Sequence, residues 1–369
     1  MFRAKAYPTN YIQEPGILQE TGEWVRKFGT KPLIIAGRTA WSKAGPQIEE
    51  SMKKAGFDYQ LEFFSGHCSD DEFDRLLSKV DNLIDIVVGI GGGQCLDTAK
   101  FVANRLNIPI VTVSTLASTC AASSALSVVY TPEHVFMRVD EYDRCPVLAL
   151  VDPDIIRDAP VRYLTAGIGD TIVKWYEAIP INTGKVQNAK TMAGLKMAEL
   201  ARDLLIEHSE QAIRDCEKGE TGESLRFVID AIILVAGFVG GFGRHTCSSS
   251  GAHSVHYGMT IIPDMKGAYH GELVAFGLLC QFQMEGKQMQ EILDMIHFYR
   301  KIGLPISLFD LGMMEIREEE LRIAAKKACA PEEMIHMLPF PILEEKVYEA
   351  IHEAHRLGEN VKKNSAFVL

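Results

Sequence analysis

Short apolar runs alternate with helical patterns through the first ~150 residues, and no other feature constrains the fold as strongly. Lys31-PLIIAG-Arg38 reads as a buried strand ending at Gly37. Trp41 to Gly56 then sets Ile48, Met52 and Ala55 at helical spacing. Tyr59-QLEFF-Ser65 alternates as a second strand. Ser69 followed by three acidic residues opens the next helix as an N-cap and a charged first turn. Leu83-IDIVVGI-Gly91 is a third strand, a helix starts at Gly92, and Ile108-PIVTVS-Thr115 is a fourth strand. Repeated strand–helix units predict an α/β N-terminal domain. Its parallel sheet should carry helices on both faces, joined by right-handed crossovers. Ala125–Thr131 and Val147–Pro153 read as further strands joined by a polar excursion. From about Pro160 the chain reads almost wholly helical, in Gly169–Ile179, Asn188–Arg202, Gln211–Lys218, Ser224–Val239, Gly271–Met289 and Glu345–Leu357. That switch places a domain boundary within Pro153–Pro160, giving domains 1–158 and 159–369, the second all-α.

A length of 369 residues suits two domains. With 47% hydrophobic and 24% charged residues, the chain is not disordered, collagen-like or a coiled coil. No uninterrupted apolar run approaches the ~18 residues of a membrane span, and the first residues lack the apolar core of a secretory signal. A net charge of −11 argues against a nucleic-acid partner. The eight cysteines form no CxxC pair and read as reduced thiols, which makes a cytoplasmic location the expectation.

Two segments carry chemistry. In VVGIGGGQCLDTAK a buried strand runs into Gly91, Gly92 and Gly93, and a helix follows at once. Glycines admit close backbone approach, and a helix N-terminus attracts anions, so a nucleotide phosphate could sit there. A tight turn that needs small residues explains the same cluster equally well. The spacing is not GxGxxG, and no Walker lysine follows. In the helical half, SSGAHSVHYGMT places His253 and His256 on one helix face. GAYHGEL puts His270 at the start of an apolar helix, and GIGDTIVKWYEA puts Asp170 after a glycine turn, early in a helix. Two histidines and a carboxylate from three helices can face one point and hold a divalent metal with a position left open. Packed or surface histidines are commoner than ligands, and His297, His336, His352 and His355 read that way.

GIGGGQCLDTAK, TLASTCAASSALSVVY, GIGDTIVKWYEA and HSVHYG followed by YHGELVAFG occur in that order. Together they resemble the iron-containing (group III) alcohol dehydrogenases over residues 10–360, and within them the glycerol dehydrogenase branch and its hydroxycarboxylate dehydrogenase-like relatives. The resemblance implies a dehydroquinate synthase-like architecture: a dinucleotide-binding domain, a helical metal-binding domain and an active site in the cleft between them. It implies Asp170, His253 and His270 as metal ligands. Gly91, Gly92, Gly93, Gln94 and Cys95 would cradle the cofactor pyrophosphate, with Asp97 fixing that turn. Thr115, Leu116, Ala117 and Ser118 would meet the adenosine side, and Ser124, Leu126 and Tyr130 the nicotinamide side. A small carbonyl or alcohol substrate and a homo-oligomer follow from the same likeness, with no membrane partner.

Departures from the family pattern shape the reading further. Lys174 stands where iron-type relatives carry a fourth, histidine ligand, which points to the three-ligand branch and zinc; Fe, Mn, Co and Ni suit the same donors. Cys120 replaces the aspartate that meets the polyol in glycerol dehydrogenases, and Ala122 their proline. Arg244 and His245 stand where those enzymes tend to carry phenylalanine and glutamate. A lost carboxylate and added basic groups favour an anionic substrate, a small 2-oxo acid reduced to its 2-hydroxy acid. Polyol oxidation and a dehydroquinate synthase-like lyase are the alternatives. His256, Lys174 and Cys120 are the candidate catalytic residues, with His256 relaying a proton or orienting the site. The IIAG strand ends in Gly37-Arg38 with no carboxylate to meet an adenosine ribose, so Arg38 is expected to meet a 2′-phosphate and NADP to be accepted alongside or ahead of NAD.

Overall fold

The computed structural model describes residues 4–5, 8–131, 135–247 and 249–365; the side chains of His245 and Ser365 lie outside the description. The described chain divides into two compact units.

Unit 1 comprises Met1–Leu164 and Gln211–Phe242. Its strands are β1 (Tyr11–Gln13), β2 (Pro32–Ala36), β3 (Gln60–Phe63), β4 (Ile86–Gly91), β5 (Ile110–Ser114), β6 (Leu126–Tyr130), β7 (Phe136–Glu141) and β8 (Leu148–Val151). Six form one sheet in the order β1-β8-β5-β4-β2-β3, every pair parallel. Two apolar layers cover it. Ile34, Ala36, Val88, Ile90 and Val113 face Ala44, Ile48 and Met52 of helix Arg38–Lys54. Leu33, Ile35 and Val87 face Leu76 of helix Asp70–Leu77 and Ala99, Val102 and Ala103 of helix Gly93–Leu106. The continuous apolar reading of these strands follows from burial on both faces. Ser69 caps its helix as expected, accepting from the Glu72 N–H.

The polar excursion between β6 and β8 holds a strand. β7 pairs antiparallel with β6 as a separate two-stranded sheet. Its side chains alternate half-buried and exposed, and charged residues in FMRVDE hide the pattern. β1 is too short to signal itself. Unit 1 also departs from the expected boundary at 158/159. The chain leaves it at Leu164, inside helix Val161–Asn182, and re-enters it at Gln211, inside helix Ala189–Lys218. Residues 211–242 belong with the sheet; Asp230 accepts from Tyr11 Oη at 2.8 Å on β1, and Ile233 O accepts from Ser123 Oγ. The helical run Glu223–Gly243 is long and apolar enough to cross a membrane, with mean hydropathy 2.0, but 61% of its most apolar window is buried, as in a core helix.

Unit 2, Thr165–Glu210 with Gly243–Leu369, is helical. Its centre is the apolar helix His270–Glu285, packed against Gly251–Met259 and Glu344–Ser365. All eight cysteines are free thiols.

Candidate active site

The metal-type cluster lies wholly within unit 2. Asp170 does not follow a turn; it sits mid-way along helix Val161–Asn182, and its neighbour Gly169 serves packing. A Cβ on Gly169 would lie 2.5 Å from Gly271 O, and one on Gly271 only 1.8 Å from Ala166 O. Two bare backbones therefore touch, and this contact brings Asp170 against His270, the first residue of helix His270–Glu285. His253 enters from helix Gly251–Met259.

The three side chains converge. His253 Nε2 and His270 Nε2 each lie 3.4 Å from Asp170 Oδ1. One ligand atom from each of the three residues falls within 4.8 Å of the others. Lys174 Nζ reaches the same oxygen at 3.2 Å and is itself buried. Burial acts to raise the Asp170 carboxyl. The Lys174 ammonium, then the bonds from His253 and His270, outweigh it and hold the group well below the usual carboxylate range. Burial likewise opposes charging of His253, but Glu177 and Asp170 raise it to about 9. These are the protonation states of a site with cations gathered on one carboxylate. A divalent ion could take the place of those protons, and one carboxylate oxygen with two imidazole nitrogens is a donor set that transition metals accept.

Each histidine is held from behind. His253 Nδ1 lies 2.6 Å from Glu177 Oε2. His270 Nδ1 lies 3.2 Å from His256 Nε2. Burial first, then the neighbouring imidazoles, keeps His256 neutral, well below the usual histidine range. Glu177 is the penultimate residue of the GIGDTIVKWYEA motif. Its signal is the helical spacing from Asp170 through Lys174, which places all three on one stripe.

In unit 1 the glycine turn lies where β2 and β4 end side by side. Their onward connections diverge there, β2 leading to β3 and β4 to β5, which is the ligand-binding position of such sheets. The glycines have packing reasons of their own. A Cβ on Gly91 would meet Cys95 Cβ at 2.9 Å, on Gly92 Leu116 Cδ1 at 2.8 Å, and on Gly93 Thr119 Oγ1 at 3.1 Å. Gly37 has none; its nearest neighbour would be Ala40 at 3.7 Å. The N-cap of helix Gly93–Leu106, Gly92, offers no side-chain acceptor, so no capping side chain competes there for the helix's first backbone donors. Arg38 is exposed beside this turn, its guanidinium 4.6 Å over the Phe63 ring.

Several expected cofactor contacts are turned elsewhere. Cys95 Sγ points into the sheet, 3.4 Å from Ile90 O, and burial pushes its thiol up to about 12. Asp97 braces β6 rather than the turn, pairing with Lys100 at 2.8 Å and accepting from the Val128 N–H at 3.0 Å. Ser124 is buried and accepts from Lys100 at 2.9 Å. Gln94 Oε1 accepts from the Cys68 N–H at 3.3 Å. Thr115 and Ala117 are buried, whereas Leu116, Ser118, Cys120, Leu126 and Tyr130 are half-exposed. Arg244 adopts a left-handed φ of 47°; the side chain of His245 lies outside the described part.

The model of the iron-containing alcohol dehydrogenase family matches residues 8–153. Glycerol dehydrogenase of Pseudomonas putida is 36% identical across 98% of this chain and 99% of its own. Hydroxycarboxylate dehydrogenase A of Escherichia coli is 34% identical across 90% and 91%. A probable glycerol dehydrogenase from Sinorhizobium meliloti superposes with a TM-score of 0.89 at 32% identity, covering 97% of this chain and 100% of that one. Likeness at this identity over nearly the whole length is kinship, and the chain belongs to the iron-containing alcohol dehydrogenase family as an oxidoreductase.

Proposed function

We propose that this chain transfers a hydride between a nicotinamide dinucleotide and a small 2-oxo acid, with a divalent metal, zinc by preference, held by Asp170, His253 and His270. The carrying observation is the convergence of His253, His270 and the Lys174 ammonium on Asp170 Oδ1. A nicotinamide dinucleotide held at the glycine turn would supply the hydride for the carbonyl carbon, and the carbonyl oxygen would take its proton from solvent. A metal bound at Asp170, His253 and His270 would polarise the carbonyl oxygen and stabilise the developing alkoxide. Lys174 supplies a buried positive charge beside the site, which suits the carboxylate of an oxo acid better than a neutral polyol. His256 is read as orienting His270 through the Nδ1–Nε2 contact. The donors of the glycine turn suit the cofactor pyrophosphate.

The hydroxycarboxylate dehydrogenase relative supports this substrate class, and the glycerol dehydrogenase relatives support the polyol alternative. Turnover of 2-oxobutanoate and 2-oxoglutarate is to be compared with that of glycerol, dihydroxyacetone and simple aldehydes, by nicotinamide absorbance with metal and either cofactor. The oxo acids should lead in kcat/KM, and Lys174→Gln should lower theirs by about 10-fold or more relative to that of aldehydes. Higher kcat/KM for the neutral compounds defeats the assignment.

Arg38 underlies the cofactor expectation. Its stacking on Phe63 holds a planar cation beside the turn, and no carboxylate ends β2 to repel a 2′-phosphate. NADPH should be used at least as well as NADH. Arg38→Ala should lower kcat/KM for NADPH by roughly 10-fold, the size of one charge-assisted hydrogen bond, with NADH little changed. A strong NADH preference in the unaltered chain contradicts this reading.

A further inference from the structure

We propose that Glu177 is the positioning residue that sets both the place and the tautomer of His253, a role that rests on the metal reading above. Glu177 is fully buried on helix Val161–Asn182. Its two oxygens divide the work. Oε2 meets His253 Nδ1 at 2.6 Å. Oε1 accepts from the Ser250 N–H at 2.7 Å and the His253 N–H at 3.0 Å. Helix Gly251–Met259 has no side-chain cap from its own N-cap residue, Ser250. Its open donors are met from two other helices, by Glu177 and by Gln281, whose Oε1 accepts from the Ala252 N–H at 3.0 Å. Gln281 cannot turn its amide around, because its Nε2 already donates to Tyr176 O at 3.1 Å and to Glu285 at 2.6 Å. A Cβ on Gly251 would stand 2.8 Å from Gln281 Oε1, so this cap requires the bare backbone there.

The chemistry of the contact is directional. An ionised carboxylate only accepts, so His253 Nδ1 carries a proton. Once the ring is neutral, its lone pair lies on Nε2, the atom turned toward Asp170. Glu177→Gln separates shape from chemistry. With its oxygen on the two backbone N–H groups the amide keeps the helix cap. Its NH2 then faces Nδ1, which must accept, and the ring proton is driven to Nε2. The reversed amide would set its own donors against two backbone donors. The two backbone donors therefore favour the first orientation, in which the cap and the volume are kept and the Nε2 lone pair is lost.

The test compares the unaltered chain, Glu177→Gln and Glu177→Asp for zinc affinity by chelator competition and for the thermal midpoint of the metal-free protein. Zinc should bind 10–100-fold more weakly to the glutamine chain, the usual effect of losing a carboxylate behind a ligand histidine. Its metal-free midpoint should stay close to the parent's. Aspartate keeps the charge on a shorter arm and should recover part of the affinity. Equal zinc affinity in the parent and Glu177→Gln overturns the role. A parent that holds no zinc overturns the metal reading and this role with it. Should the glutamine chain fail to fold, ring-nitrogen NMR of the zinc-loaded parent decides: a His253 proton on Nδ1 supports the role, and one on Nε2 overturns it.

Discussion

His270→Ala is expected to lose bound metal on dialysis and to lose turnover by about 100-fold or more, since the proposed site would give up one of its three ligands together with the polarisation it would support. This is the replacement that separates chemistry from folding most cleanly. The His270 side chain is 31% exposed, against 8% for His253 and 5% for Asp170, so its removal opens little buried volume. The start of its helix is secured independently, by Glu272 Oε2 accepting from the Tyr269 N–H at 2.7 Å. The fold should therefore survive, with a stability change of about 1 kcal/mol or less. Metal per chain, turnover and thermal midpoint should be measured on one preparation. Full metal content with unchanged turnover in the alanine chain removes His270 from the site.

Gly271→Ala should do the opposite and damage the fold and the site together. The added methyl would stand 1.8 Å from Ala166 O and 2.6 Å from its carbonyl carbon, both backbone atoms. Neither can rotate away, so the two helices must part. Overpacking of this kind costs about 1–3 kcal/mol or more. At roughly 2–4 °C per kcal/mol the thermal midpoint should fall by several degrees. Separation of the helices also draws His270 away from Asp170, so metal affinity should fall beyond what stability alone explains. Gly267→Ala is the control, since a Cβ there meets nothing within 4 Å. A Gly271→Ala chain matching the control in midpoint and metal affinity would refute the close-contact account.

These expectations show what local pattern carries and what it leaves out. Strand runs such as PLIIA and IVVGIG are readable because burial on both faces makes them continuously apolar, a property of neighbours along the chain. The Ser69 cap and the His253–His256 spacing are local in the same sense. Ordered motifs extend that reach to Asp170, His253 and His270, which stand far apart in sequence. β7 escaped because its outward positions mix Met137 and Val139 with charge, which blurs the alternation a half-buried strand should show.

Spacings of a few residues carried the parallel α/β sheet, the glycine turn at the end of β4 and the helical second half, and the order of the motifs along the chain carried the candidate ligands. Tertiary structure alone decided the rest. It turned Gly169 from an expected turn into a seam between helices, drew residues 211–242 back to the sheet, and aimed Cys95 at Ile35 O, Asp97 at the Val128 N–H and Ser124 at Lys100. It also set Glu177 behind His253. The physical reason is common to all four: where a side chain points across an interface is fixed by the backbone it packs against, and that backbone is distant in sequence.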